Sequence, residues 1–261
     1  MEEIVQINGR SIETIYHGPS PDQAPTLVFL HEGLGCAALW RDFPAKLAAA
    51  TGCGALVYSR VGYGRSSPCD LPRPMSYMHD AAFDILPALL DHFAIQDCIL
   101  VGHSDGGSIA LIYAGGTAAL PLCGIITEAA HVFCEDICIS SVLDIRKAFL
   151  ETDLRQKLTK YHGDNVDCAF WGWNETWARD EFRYWNIEEY LLKIRVPLLA
   201  IQGEDDNYGT VAQLDAIVDQ TGGQRLLLPD CGHAPHRDQE EATLAAMTHF
   251  VQQIIGAKRD A

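Results

Sequence analysis

Apolar and polar positions along this chain follow two rhythms that take turns. Ile4 to Ile7 and Ser11 to Tyr16 alternate with a period of two about Asn8-Gly9, which predicts a β-hairpin. Short apolar runs at Thr26 to Leu30, Ala55 to Tyr58, Cys98 to Val101, Gly124 to Thr127, Pro197 to Gln202 and Leu226 to Leu228 predict buried strands. Helix-like stretches separate them. Residues 36–50 read as a helix ending near Thr51-Gly52. Residues 78–93 carry apolar side chains at 82, 83, 86, 89, 90 and 93, and Pro87 inside that run should kink or break it. Further helices are expected from Ser108 to Tyr113, from Gln213 to Asp219 and over 238–255. Strands that alternate with helices imply an α/β fold: a mostly parallel central sheet flanked by helices on both faces.

One stretch breaks the rhythm. Residues 132–195 contain no convincing strand and hold four of the five tryptophans: Trp171, Trp173, Trp177 and Trp185. They read as a helical insertion between later strands. The division expected is a core of 1–131 and 196–261 with an inserted unit of 132–195.

Composition narrows the function classes. The 261 residues suffice for one large α/β domain with its own core. A formal net charge of -16 argues against nucleic acid and against anionic membrane surfaces as partners. Met1-Glu2-Glu3 does not resemble the basic start of a signal peptide, and no apolar run approaches the ~18 residues of a membrane span. Nine scattered cysteines without a C-x-x-C pair read as reduced thiols in a cytoplasmic protein, with no metal site expected.

The chemistry concentrates at Gly102-His103-Ser104-Asp105-Gly106-Gly107, between a strand and a helix with no spacer. In that context G-x-S-x-G places a serine on a strained turn, and the amide of Asp105 points at the same spot from a helix N-terminus. An ordinary Gly-rich turn with a capping serine would share the pattern. A serine hydroxyl needs a base, and the base needs an orienting partner. Both follow in order. The Pro197 strand leads into Gly203-Glu204-Asp205-Asp206, and the Leu226 strand into Asp230-Cys231-Gly232-His233. His236 competes with His233, and Asp205 with Asp206.

Over roughly residues 3–256 the chain resembles the α/β-hydrolase fold superfamily. His31-Glu32-Gly33-Leu34-Gly35 is similar to the family's oxyanion loop and Gly62-Tyr63-Gly64-Arg65-Ser66 to its G-x-G-x-S loop. Gly102 to Gly106 resembles its nucleophile elbow, Gly203-x-x-Asp206 its acid position and Gly232-His233 its histidine. The resemblance implies a triad of Ser104, Asp206 and His233. It also implies an oxyanion hole from the amides of Asp105 and of Gly33 or Leu34, and a helical lid over 132–195. Trp171, Trp173, Trp177 and Trp185 become candidate substrate-binding residues, some of them lid anchors. Three departures stand out. Glu32 occupies a usual glycine position. Ser59 stands where many members have Asp, which puts the bracing of the G-x-G-x-S loop in doubt. Asp105 follows the serine where many esterases have Met or Leu, and it would discourage anionic acyl groups.

The expectation is a serine hydrolase of a small carboxylic ester or thioester. It would use no cofactor and act on a small neutral substrate, apolar or aromatic, with room for a homodimer. The alternatives are a carbon–carbon bond hydrolase of ring-fission products, a proline iminopeptidase-like peptidase, and a triad-retaining ligand receptor.

Overall fold

The computed structural model of the chain describes residues 1–116 and 122–259. Eight strands form one sheet: β1 (Glu2–Ile7), β2 (Arg10–His17), β3 (Thr26–Leu30), β4 (Gly54–Tyr58), β5 (Cys98–His103), β6 (Leu122–Glu128), β7 (Leu198–Gly203) and β8 (Gln224–Leu228). Their order is β1-β2-β4-β3-β5-β6-β7-β8. β1 and β2 pair antiparallel about Asn8 and Gly9, both at positive φ as a tight hairpin turn requires. β2 also lies antiparallel to β4, and every later pairing is parallel.

Both faces of the sheet are buried, as parallel strands demand. The pleat divides each strand between two cores. In β3, Val28 and Leu30 face one cluster while Leu27 and Phe29 face the other. In β5, Cys98 and Leu100 oppose Ile99 and Val101 in the same way. The second core is covered by α1 (Phe43–Thr51) and by α11 (Glu240–Arg259), which brings in Met247, Phe250 and Val251. The first is covered by α2 (Tyr77–Asp80), α3 (Leu86–His92), α4 (Asp105–Gly116) and α9 (Val211–Thr221). Between β6 and β7 come α5 (Asp136–Glu151), α6 (Leu154–His162), α7 (Val166–Trp177) and α8 (Glu188–Leu191); α10 (Pro235–Asp238) precedes α11.

Two helices depart from the expectation. The helix read over 36–50 begins only at Phe43. Ala37–Trp40 is a separate 3-10 turn, cut off by Arg41 at φ 54. The stretch 78–93 does not break at Pro87. A π-turn over Ala81–Ile85 joins α2 to α3 immediately before it. Proline has no N–H for the carbonyl four residues back, and a wider turn absorbs that mismatch without ending the helix.

The chain leaves β3 for one neighbour, β4, and returns to the other, β5. A crevice opens where the connections diverge, at the carboxyl ends of β3 and β5.

Candidate active site

Ser104 follows β5 directly and precedes α4 with no intervening residue. Its φ is 52, a left-handed conformation that costs a non-glycine residue roughly 1–3 kcal/mol. The strain is held from both sides. Its N–H donates to the Glu128 carbonyl at the end of β6 (2.8 Å). A Cβ on Gly102 would stand 2.3 Å from the Gly106 carbonyl oxygen, and one on Gly106 would stand 2.0 Å from that of Leu30. Only glycines let β3, β5 and α4 approach this closely.

The loops after β7 and β8 bring two more groups to the serine. His233 Nε2 lies 2.9 Å from Ser104 Oγ, and His233 Nδ1 lies 2.8 Å and 3.0 Å from the Asp206 carboxylate oxygens. Asp206 is buried, whereas Asp205 beside it is exposed. Gln202 Nε2 and the Tyr208 amide also donate to Asp206, at 3.0 and 2.8 Å. Burial alone would raise its pKa, but the contact with His233, the Tyr208 amide and nearby His131 outweigh it and hold the carboxyl below its ordinary value. His236, the competing histidine, is engaged elsewhere. Its Nδ1 and its amide both donate to Glu128, at 2.8 and 2.9 Å.

A cavity of about 90 Å³ lies over Ser104. Its walls include Glu32, Gly33, Leu34, Ser104, Asp105 and His233, together with Trp173 and Trp177 from α7. Trp173 seats on the loop after β3: its Nε1 is 2.2 Å from where a Cβ on Gly33 would stand. Trp171 and Trp185, also expected near a substrate, pack elsewhere. Trp171 meets Phe149 and Phe170 edge-on, and Trp185 stacks on Phe182. Trp173 and Trp177, one turn apart on α7, share a face; Trp171, two positions before Trp173, falls on another, and Trp185 lies beyond the helix.

The Asp105 carboxylate is fully buried. Tyr77 Oη donates to it at 2.7 Å and Arg60 pairs with it at 3.5 Å. Trp177 Nε1 donates in turn to Tyr77 Oη at 2.9 Å, so α7 is hydrogen-bonded through Tyr77 to the residue after the serine.

The doubt over Ser59 resolves through a residue on another strand. Ser59 Oγ donates to Glu13 Oε2 at 2.6 Å, and Glu13 on β2 also receives the Arg65 amide and Nε, at 3.0 and 2.6 Å. Burial pushes the Glu13 pKa up, yet Ser59 and Arg65 bring it down overall. A carboxylate thus braces the G-x-G-x-S loop, supplied by Glu13. His162, at the end of α6, ties two loops together. It accepts from the Gly64 amide (3.1 Å) and donates to the Leu34 carbonyl (3.0 Å).

Glu32 and His103 form a further pair. Glu32 Oε2 is 3.5 Å from His103 Nδ1, an ion pair without hydrogen-bond alignment, and His103 Nε2 donates to the His233 carbonyl at 2.6 Å. Burial would lower the His103 pKa, but Glu32 outweighs it and pushes it up to about 9. His31 is held neutral, mainly by burial. Its Nδ1–H donates to the Glu32 carbonyl and its Nε2 accepts from the Arg60 amide. His131, Cys138 and Tyr208 also line the cavity. His131 donates from Nε2 to the Tyr208 carbonyl, and its buried Nδ1 has no partner among the described residues. None of Glu13, His162, Tyr77 or His131 belongs to a spacing motif; only their position in space marks them.

A family model described as the alpha/beta hydrolase family matches residues 27–246. The chain belongs to the alpha/beta hydrolase family, and its relatives support a hydrolase. It is 24% identical over 269 residues to a protein named proline iminopeptidase from Lactobacillus helveticus, spanning 88% of this chain and 91% of that one. The crystal structure of a proline iminopeptidase from Mycobacterium smegmatis superposes with a TM-score of 0.72 at 19% identity, covering 99% of this chain and 100% of the other. A thermophilic esterase from Thermogutta terrifontis does so with a TM-score of 0.74 at 15% identity, covering 97% and 99%. At such identities the two structural likenesses speak for the fold. No helix among the described residues is long and apolar enough to cross a membrane.

Proposed function

We propose that this chain is a serine hydrolase that cleaves a small, neutral carboxylic ester or thioester through an acyl-enzyme on Ser104. One observation carries the reading: the Ser104–His233–Asp206 hydrogen-bonded series opens onto a cavity with no Lys or Arg in its wall among the described residues. Ser104 Oγ attacks the carbonyl carbon while His233 Nε2 takes its proton. Asp206 keeps the imidazole oriented and balances its charge. The amides of Asp105 and of Gly33 or Leu34 receive the developing oxyanion, each worth roughly 10²–10³ in rate. The tetrahedral intermediate collapses, and His233 returns the proton to the leaving alcohol or thiol. Water then repeats the sequence on the acyl-enzyme.

The helices of 132–195 serve as a lid in this reading, with Trp173 and Trp177 as an apolar roof. The cavity is small, about 90 Å³, which favours a short acyl chain. We place the protein in the cytoplasm, a compartment that returns thiols to the reduced state.

A second reading, a proline iminopeptidase-like peptidase, draws on the Glu32 carboxylate in the cavity wall, which suits a substrate amine, and on the relative from Lactobacillus helveticus. The test is a panel of neutral aryl esters, acyl thioesters and N-terminal prolyl amides, with a serine-directed phosphonate as probe. Expected are ester or thioester turnover above amide turnover, phosphonate on Ser104, and a fall of about 10³-fold or more in Ser104→Ala. Unchanged activity in that variant overturns the nucleophile; faster prolyl-amide cleavage selects the second reading.

A further inference from the structure

A second cavity, about 480 Å³, is lined in part by Arg60 and Tyr77, the two side chains that hold the Asp105 carboxylate. Exposed Asp70, Asp80 and Asp84 stand at its rim, and buried Arg60, Tyr63 and Arg73 form its floor. Cys69 lines it as well. We propose that Cys69 and Cys168 form a redox site, a dithiol that a small peroxide entering this cavity oxidises to a disulfide joining α7 to the loop after β4.

The two cysteines are 99 positions apart in the sequence, yet their groups interlock. The Cys69 amide donates to Cys168 Sγ at 3.1 Å, and Cys168 Sγ–H donates to the Cys69 carbonyl at 3.4 Å. A Cβ on Gly62 would stand 2.8 Å from one sulfur and 3.0 Å from the other, so both crowd the space that this glycine leaves open. Gly62 has φ +89 and cannot readily become another residue. Both cysteines are partly exposed, whereas Cys36, Cys53, Cys98, Cys138 and Cys231 are buried.

Arg73 makes Cys69 the attacking partner. Arg73 is 4% exposed, and its guanidinium has no carboxylate within ion-pair distance among the described residues. Its donors go to Tyr63 Oη (2.6 Å), the Val61 carbonyl (3.2 Å) and Cys69 Sγ (3.2 Å). Burial keeps the Tyr63 phenol neutral. A buried cation calls for an anion, and the Cys69 thiolate is the group in contact able to become one. Contact with the Cys168 side chain, with Arg73 beside it, lowers the Cys69 pKa, while the same contact and burial raise that of Cys168.

The chemistry balances. The Cys69 thiolate attacks one peroxide oxygen; an S–O bond forms, the O–O bond breaks, and hydroxide leaves to take up a proton as water. The sulfur is oxidised by two electrons and the peroxide reduced by two. Cys168 sulfur then attacks the sulfenic sulfur. The S–S bond forms, the S–O bond breaks, and a second water leaves with the Cys168 proton.

The test treats the full chain with one equivalent of hydrogen peroxide, alkylates the remaining thiols and maps the peptides by mass spectrometry. The partly exposed Cys123 and Cys134 serve as internal references. The expected product is a Cys69–Cys168 cross-linked peptide, formed about tenfold faster than either reference is oxidised. In Cys168→Ser, dimedone should capture a sulfenic acid on Cys69; in Cys69→Ser, neither product should form. Oxidation of Cys123 or Cys134 first, a different disulfide, or Cys69 recovered as an alkylated thiol overturns the proposal, and the wild-type measurement needs no variant to fold.

Discussion

At the scale of single residues, neighbouring side chains of one type differ by where they point. Asp206 faces His233 Nδ1 at 2.8 Å while Asp205 meets solvent. Asp206→Asn should therefore lower kcat by about 10⁴-fold, through loss of the imidazole's orientation and charge balance. Asp205→Asn should leave it nearly unchanged. Steady-state rates on one ester, with circular dichroism to verify folding, make the comparison; a severe Asp205→Asn would reverse the assignment. Glu32 and His103 supply a pH signature. A histidine whose folded pKa is raised contributes stability that is complete below its unfolded value, near 6.5, and is lost as pH rises through about 9. Glu32 is partly exposed and the contact is not aligned, so the contribution is on the order of 1–2 kcal/mol. Urea midpoints should fall between pH 6.5 and 9 in the wild type, and this part of the slope should vanish in Glu32→Gln. An equal slope in both proteins would show that the pair is not coupled to folding.

At the scale of elements, the site depends on how closely backbones approach. β3 and α4 meet at Gly106, where an added Cβ would fall 2.0 Å from the Leu30 carbonyl oxygen. Backbone cannot swing aside as a flexible side chain can. Gly106→Ala should cost about 3 kcal/mol and lower Tm by about 10 °C, with activity falling as Ser104 is displaced. Gly256→Ala, on α11 with nothing within 4 Å of the added Cβ, should leave Tm unchanged or slightly raised. Calorimetry on both variants separates local crowding from the general effect of adding a methyl group. The π-turn ahead of Pro87 belongs to the same scale: a local steric conflict shifts the winding of one turn and leaves the packing of Leu86, Leu89 and Leu90 intact.

At the scale of the whole molecule, the proposed preference for a neutral substrate rests on charge. The chain carries a formal charge of -16, and Glu32 stands in the wall of the cavity over Ser104, where no Lys or Arg is found among the described residues. A neutral ester should exceed a carboxylate-bearing analogue of similar size by about tenfold in kcat/KM, roughly 1.4 kcal/mol. The gap should narrow between 0.01 and 1 M salt, as the screening length falls from about 30 to about 3 Å. A tenfold preference for the charged ester would refute this and promote the ring-fission hydrolase reading.

The alternation of strand and helix periods, the hairpin at Asn8-Gly9 and the two glycines about Ser104 were legible in the sequence alone. Each is a local consequence of side-chain period or backbone sterics, so neighbours in the chain suffice to reveal it. The order of Ser104, Asp206 and His233 was legible for a related reason: in a parallel sheet, loops after successive strands gather at one edge. Long-range packing decided the rest. Glu13 supplies, from β2, the carboxylate that position 59 lacks, because strand order sets β2 beside β4. His162 reaches Leu34 and Gly64 because α6 ends above both loops. Trp173 and Trp177 share the cavity wall while Trp171 turns away, since helical rotation and the shape of the partner surface choose which rings face inward. Cys69 and Cys168 meet because a loop and a helix far apart in the chain converge on the space left by Gly62. Such contacts join residues separated by tens of positions, and their energies depend on distances that only the folded chain defines.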